Sequence, residues 1–227
     1  MAVHLYGLPC DMDALTTICR DHNLYLIEDA AEAFGTYYKG QHVGTFGDIA
    51  TFSFFGNKTI TTGEGGMVTT NNGEYAAKLR QLRDHGRVDG LCQELGYNYR
   101  MSDIQAALGL SQLKRLPQFL ERRREIAHRY CEAFGIPYVE GHAYHLFVIL
   151  VENRDKVKRL LLEKEIQTQI HYTPIYRLPF YDTGDYEYHN TEAYYKRCLS
   201  LPIYPNLKDS EVEYVIESVR AATADKG

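Results

Sequence analysis

The chain is predicted to be an α/β layered domain followed by a small α+β domain. Three observations predict it. Strand and helix signals alternate through the first half. Short apolar runs end repeatedly in polar or glycine-rich loops. A Gly135-Ile136-Pro137 turn then precedes a second set of strand and helix signals. That turn sets the expected boundary, with domains over 1–134 and 135–227.

The elements follow in order. Ala2 to Tyr6 reads as a strand, closed by a Gly7-Leu8-Pro9 turn. Asp11 can cap a helix whose apolar positions Met12, Leu15, Ile18 and Cys19 recur at helical spacing, and Asn23 can stop it. Leu24 to Ile27 is a short apolar run, read as a buried strand that ends in Glu28-Asp29. Gly35 to Gly47 reads as irregular. Ile49 to Phe55 and Met67 to Thr70 are rich in strand formers. Glu74 to His85 is helical. Ser102 and Gln105 match a capping box opening a helix with Ala106, Leu110 and Leu113 at helical spacing. Pro117 suits the first position of a further helix reaching Phe134. Tyr144 to Val151 and Gln169 to Tyr172 read as strands, with Asp155 to Lys164 helical between them. Ser210 to Glu213 reads as a second capping box, opening a helix with Val212, Val215, Ile216 and Val219 inward.

Composition excludes several classes. Of 227 residues, 44% are hydrophobic and 24% charged, which is globular and too rich in apolar residues for disorder. The longest apolar run is about six residues (Leu146 to Val151), too short to cross a membrane. A net charge of −5 gives no overall basic signal for nucleic acid or an anionic membrane. The basic run Arg122-Arg123-Arg124 reads as a solvated helix face. The 19 tyrosines show no spacing suited to a nucleic-acid platform. Five cysteines, an odd number with no CxxC pair, read as free thiols in a reducing compartment, hence the cytoplasm, and not as a zinc site.

Two residues suggest chemistry. Lys58 follows a strand and precedes a glycine-rich loop. A P-loop is a rival, but there the glycines lead to the lysine, and here they follow it. A lysine held at a strand end and partly desolvated can act as a nucleophile. Asp29 closes an apolar strand, and open α/β sheets bind ligands beyond such carboxyl ends. An amine and a carboxylate together fit pyridoxal 5′-phosphate, whose aldehyde takes the lysine and whose ring nitrogen needs an acid to stay protonated. A surface lysine and a turn aspartate are the plainer readings of the same residues.

Glu28-Asp29-Ala30-Ala31-Glu32-Ala33-Phe34-Gly35, the stretch from Ser53 to Met67, and Gly96-Tyr97-Asn98-Tyr99-Arg100-Met101 with Gln105 to Gly109 carry a resemblance. Together they resemble the DegT/DnrJ/EryC1/StrS family of pyridoxal-phosphate sugar aminotransferases. His4 to Gly7, His145-Leu146-Phe147, His171-Tyr172 and Leu199 to Pro202 agree with it. Ser53 to Met67 most resembles the GDP-perosamine synthase branch.

The resemblance implies the α/β type I aspartate-aminotransferase fold and a set of roles. Lys58 would attach the cofactor and shuttle the proton to the sugar C4. Asp29 would pair with the ring nitrogen, and Glu32 would lie by the ring and its phenolic oxygen. Ser53 would bind the phosphate. Asn98 would reach the phosphate of the other subunit, which implies a homodimer. Arg100 and His171 would line the sugar-nucleotide site. Glutamate would donate the amino group to a 4-keto-6-deoxy sugar nucleotide. A related dehydratase branch has histidine where this chain has Lys58. Members of the family are longer, and the resemblance implies that their N-terminal strands, a phosphate-binding turn and a ring stacked on the cofactor are not in this sequence. Cofactor binding is then expected to be weak. A catalytically silent remnant, using Asn98 to Leu113 as an interaction or dimerisation module, is the alternative. His145 is expected to be a packing residue.

Overall fold

The computed structural model describes residues 1–181 and 188–224. The chain divides into two compact units. One comprises Met1–Arg124 with Val139–His145, and the other Glu125–Tyr138 with Leu146–Gly227.

The first unit is built on a four-stranded sheet. Its elements are β1 (Ala2–Val3), α1 (Met12–Asp21), β2 (Ile27–Asp29), β3 (Tyr37–Tyr38), β4 (Gln41–His42), β5 (Ile49–Ser53), β6 (Gly66–Thr69), α2 (Gly73–Leu82), β7 (Arg87–Val88), β8 (Leu91–Cys92) and the first part of α3 (Asp103–Phe134). The sheet order is β1-β2-β5-β6. β1, β2 and β5 run parallel, and β6 pairs antiparallel with β5.

The register sorts side chains by face, because successive residues of a strand point to opposite sides. Glu28 lies level with Ala2 and Ala50, and all three are buried. Ala50, Phe52 and Phe54 join Ala30, Ala33, Val43 and Ile60 in one apolar cluster, with Phe34, Leu116 and Phe119 packed against it. The other face carries Val3, Ile27, Asp29, Thr51, Ser53 and Val68. It is open, with Val3 44% and Ile27 41% exposed.

The caps explain where helices begin. Asp11 accepts from the Ala14 N–H at 3.1 Å, and Asn23, at φ 51°, follows the end of α1. The Ser102 box forms in both directions, with Ser102 N donating to Gln105 Oε1 at 2.9 Å and Gln105 N to Ser102 Oγ at 3.3 Å.

Several expectations are corrected. The first strand stops at Val3, because Tyr6 takes φ 62° inside a 3-10 turn over Leu5–Gly7. The second strand lies at Ile27–Asp29, not Leu24–Ile27. The irregular stretch after Gly35 contains the β3–β4 hairpin. The strand over Ile49 to Phe55 ends at Ser53, and the helix after Asn72 ends at Leu82. Residues 103–134 form one helix with Pro117 inside it, where two helices were expected. Proline leaves the carbonyl four residues earlier without a helical donor. That carbonyl belongs to Leu113, which is exposed, so water can satisfy it. Leu110 is exposed too, and Leu116, Phe119 and Leu120 supply the buried side instead.

The Arg122–Arg124 run is not a solvated face. Arg123 is buried and donates to the carbonyls of Tyr144 and His145, each at 3.2 Å. Burial lowers its pKa to about 10. Arg124 donates to the carbonyls of His142 and Gly35 at 3.2 and 3.1 Å. The buried guanidinium of Arg123 is tolerated because backbone oxygens meet it.

The second unit contains the end of α3, then β9 (Phe147–Leu150), α4 (Arg154–Glu163), α5 (His189–Arg197), β10 (Cys198–Leu201) and α6 (Asp209–Ala224). β9 and β10 pair antiparallel. Val212, Val215, Ile216 and Val219 are buried, as their spacing predicts. The cap of α6 lies at Lys208, whose N–H donates to Glu211 at 2.7 Å, and not at Ser210. β9 is shorter than the expected Tyr144–Val151, since Tyr144 has φ 49°. Gln169 makes only an isolated bridge to Ser200 where a strand was expected. α5 and β10 had no clear sequence signal. Tyr130 is buried and its hydroxyl donates to the Pro202 carbonyl at 2.9 Å.

Candidate active site

Parallel strands of an open α/β sheet expose their carboxyl ends at one edge, and loops leaving those ends can converge. In this chain β2 ends at Asp29 and β5 at Ser53, on the same face. Asp29 Oδ1 accepts from the Ala31 N–H at 3.0 Å, which turns the chain out of the strand. Ser53 Oγ accepts from the Phe55 N–H at 3.3 Å, doing the same at the end of β5.

The loop after β5 is folded back on itself. Phe54 N donates to Gly65 O at 2.8 Å, Thr62 N to Phe54 O at 2.9 Å, and Lys58 N to Phe55 O at 3.1 Å. Gly65 is required there: a Cβ would meet Thr62 Oγ1 at 2.3 Å. The start of α3 closes over this loop, with Gln105 Nε2 donating to Glu64 O at 2.8 Å.

Lys58 is thereby held inward. Its Nζ lies 3.9 Å from Glu32 Oε1, with the two side chains only 15% and 12% exposed. Glu32 Oε2 accepts from the Tyr6 N–H at 2.7 Å, so one oxygen anchors the turn after β1 while the other faces the lysine. An amine this shielded from water, with a carboxylate at hand, can act as nucleophile and pass a proton.

Glu28, not singled out from the sequence, works behind this site. Its carboxylate accepts from His4 Nε2 at 3.0 Å and from the N–H groups of Gly44, Phe46 and Gly47 at 2.7, 2.8 and 2.7 Å. Burial alone would raise its pKa, but these hydrogen bonds outweigh it and hold the pKa below the ordinary value. Period-two alternation from Asp29 would have marked Glu28 as the inward neighbour.

Asn98 and Arg100 form a second cluster of the same unit. Arg100 joins Asn98, Asp84 and His85. His171 lies in the other unit, with Nδ1 2.7 Å from Ser200 Oγ. His145 is buried, as expected of a packing residue. A cavity of about 420 Å³ lined by Thr16, Cys19, Leu26, Phe46, Asp48 and Asn72 includes none of the predicted site residues. Among the described residues no group of three His, Cys, Asp or Glu side chains could hold a metal ion, and no helix is long and apolar enough to cross a membrane.

The unit is thus an α/β domain with a mainly parallel sheet, at whose carboxyl edge stand Asp29 and Ser53, with Lys58 and Glu32 in the segments that follow β5 and β2. Comparison with known proteins identifies the family. The chain belongs to the DegT/DnrJ/EryC1/StrS aminotransferase family, which matches residues 1–220. It is 41% identical over 239 residues to GDP-perosamine synthase of Escherichia coli O157:H7, covering 100% of this chain and 66% of that protein. It is 39% identical to the spore coat polysaccharide biosynthesis protein SpsC of Bacillus subtilis, covering 96% and 64%. The fold matches Helicobacter pylori PseC, an aminotransferase of pseudoaminic acid biosynthesis, with TM-score 0.93, 30% identity and coverage of 98% and 66%. It also matches a Streptococcus pneumoniae protein solved in its PLP form, with TM-score 0.89, 28% identity and coverage of 98% and 67%. The fold is therefore that of the α/β pyridoxal-phosphate transferases. The chain spans about two thirds of the length of these relatives.

Proposed function

We propose that this chain carries the reactive lysine and ring-binding carboxylate of an aminotransferase. The enzyme would move an amino group from glutamate onto a 4-keto-6-deoxy sugar nucleotide for polysaccharide synthesis, as a cytoplasmic homodimer. One observation carries the reading: Lys58 Nζ is shielded and 3.9 Å from Glu32, in the loop that leaves the sheet edge bearing Asp29 and Ser53. Relatives named for GDP-perosamine and for amino-sugar transamination support the sugar-nucleotide class.

The donor set fits pyridoxal 5′-phosphate. Its aldehyde needs an amine, its ring nitrogen an acid and its phosphate hydroxyl or amide donors. When bound, the cofactor supplies an electron sink for the carbon that exchanges nitrogen.

The remaining work falls to side chains. Asp29 would accept a hydrogen bond from the ring nitrogen and keep it protonated. Its placement at a strand end, with Oδ1 already held by Ala31 N, fixes the carboxylate's direction. Ser53 would donate its hydroxyl proton to a phosphate oxygen. Glu32 would sit by the phenolic oxygen and hold the lysine's charge when the amine is protonated. Lys58 would hold the cofactor by its amine and carry the proton that moves to the sugar C4. Asn98 would reach the phosphate in a second copy. His171 would face the sugar nucleotide.

Borohydride reduction in the presence of pyridoxal 5′-phosphate tests this. The added mass should lie on the peptide containing Lys58, and Lys58→Ala should abolish it. Labelling spread over surface lysines, or unchanged in the variant, would remove Lys58 as the anchor. Amino transfer from glutamate to a keto sugar nucleotide then tests the reaction.

A further inference from the structure

The exposed side chain of Asn98 is hydrogen-bonded by that of Arg100, which also meets two other groups of this unit. Arg100 Nε donates to Asn98 Oδ1 at 3.0 Å. Arg100 Nη1 lies 2.9 Å from Asp84 Oδ1, and Nη2 lies 3.4 Å from His85 Nε2. Each edge of the guanidinium therefore faces a group of this same cluster.

The backbone beneath is tied equally firmly. Asp84 and Asn98 form an antiparallel bridge. Tyr97 N donates to Leu82 O, Tyr99 N to Arg83 O and His85 N to Tyr97 O, at 2.9, 2.9 and 3.0 Å. Gly96 and Gly86 pack so closely that a Cβ on Gly96 would meet Gly86 N at 2.1 Å. The rings of Tyr97 and Tyr99 stack at 5.0 Å and 11°, which puts them on one side of the segment, with Asn98 between them in sequence.

The chemistry of the pair fixes what Asn98 can offer. An amide side chain has an acceptor end and a donor end, and a guanidinium only donates. Arg100 must therefore meet the oxygen, and Nδ2, with its two hydrogens, faces the other way. Asn98 is exposed, so that donor end is available to a ligand that only accepts. Phosphate oxygens are such acceptors. Asp84 Oδ1 lies 2.9 Å from Arg100 and 4.0 Å from Arg87, and with Nε on Asn98 and Nη2 beside His85 the Arg100 fork is already engaged, which suits it to holding the amide.

We propose that Arg100 and Asp84 are positioning residues, which turn the Asn98 amide outward as a donor for the cofactor phosphate of a second copy. The inference rests on the reading of Asn98 given above. It changes the part taken by Arg100, from facing the sugar nucleotide to acting through Asn98.

The test compares pyridoxal 5′-phosphate with unphosphorylated pyridoxal in equilibrium titrations of the full chain, so that the preference for the phosphorylated form isolates the phosphate contact. Asn98→Ala should cut that preference about tenfold, the size of one hydrogen bond to a charged group. Arg100→Ala and Arg100→Lys should cut it by a similar factor, since lysine keeps the charge but not the planar fork. Asp84→Asn should cut it less. The double variant Asn98→Ala with Arg100→Ala should be no worse than Asn98→Ala alone. Additive losses would make Arg100 a direct ligand and overturn the proposal. So would an unchanged preference in both Arg100 variants, with their melting temperatures recorded to establish that they fold. If Asn98→Ala alone leaves the preference intact, the reading of Asn98 fails, and the positioning role fails with it. If the unaltered chain shows no preference at all, the outcome is the same.

Discussion

His4 Nε2 stands 3.0 Å from Glu28 Oε2, and neither side chain touches solvent. The tautomer follows from the other ring nitrogen. Nδ1 accepts from the Cys10 N–H at 3.1 Å, so the proton sits on Nε2 and points at Glu28. The pair joins β1, β2 and the loop 43–47 directly behind Asp29.

Glu28→Gln keeps the shape but loses the charge that three backbone N–H groups and His4 share. It should destabilise the protein by about 3 kcal/mol in urea denaturation. The pH dependence gives a second readout. The folded pKa of Glu28 is held below its unfolded value of about 4.3. Its contribution is therefore full above that value and lost as pH falls through the lower folded pKa. Glu28→Gln should flatten the loss of stability in that acid window. An unchanged acid limb would mean Glu28 is not the group responsible.

His142 responds at a higher pH. Burial first, and then the Arg124 charge, push its pKa down to about 3, against an ordinary value of 6.5. Its ring stacks on Tyr144 at 3.9 Å, and Nδ1 accepts from the Tyr144 N–H at 2.8 Å. The unfolded chain takes up this proton below about pH 6.5 while the folded chain does not. Stability should then fall by up to about 1.4 kcal/mol per pH unit between those two values. His142→Asn keeps an acceptor and cannot titrate, so its stability profile should lose this slope. A variant that retains the slope would assign it to another group.

Pro117 costs the long helix one hydrogen bond at Leu113. Both residues are on the exposed side, so alanine fits without repacking. Pro117→Ala should stabilise the protein by about 2 kcal/mol, the helix gain less the entropy lost to proline's stiffness in the unfolded chain. A lower melting temperature would mean that the local bend is needed for packing.

Two neighbours on α3 should behave differently. Tyr130→Phe removes one buried hydrogen bond to Pro202 O and should cost about 1–2 kcal/mol, independent of salt. Arg129 pairs with Asp209 at 2.8 Å and with Glu213, where the acids are well exposed. Arg129→Ala should cost no more than about 1 kcal/mol, and less at high salt. Equal, salt-independent losses would contradict this division between buried and screened interactions.

The sequence by itself determined what depends on local patterning. Period-3.6 spacing and a helix-start side chain fixed α1, the start of α3 and the inward face of α6, because neighbours along the chain supply the bonds. It also singled out two candidates, Asp29 at the end of β2 and Lys58 in the glycine-rich loop that follows β5. Tertiary structure decided the rest. The Arg122–Arg124 run reads as solvated until Arg123 and Arg124 meet carbonyls more than 15 residues away. Glu28 looks like a companion of Asp29 until the pleat turns it inward to His4. Pro117 looks like a helix start until the helix runs through it, with Leu113 open to water. The resemblance implies that Lys58 and Glu32 share one ring, but no local pattern brings them together: 26 positions of sequence separate them, and only the folded loop after β5 closes that distance to 3.9 Å.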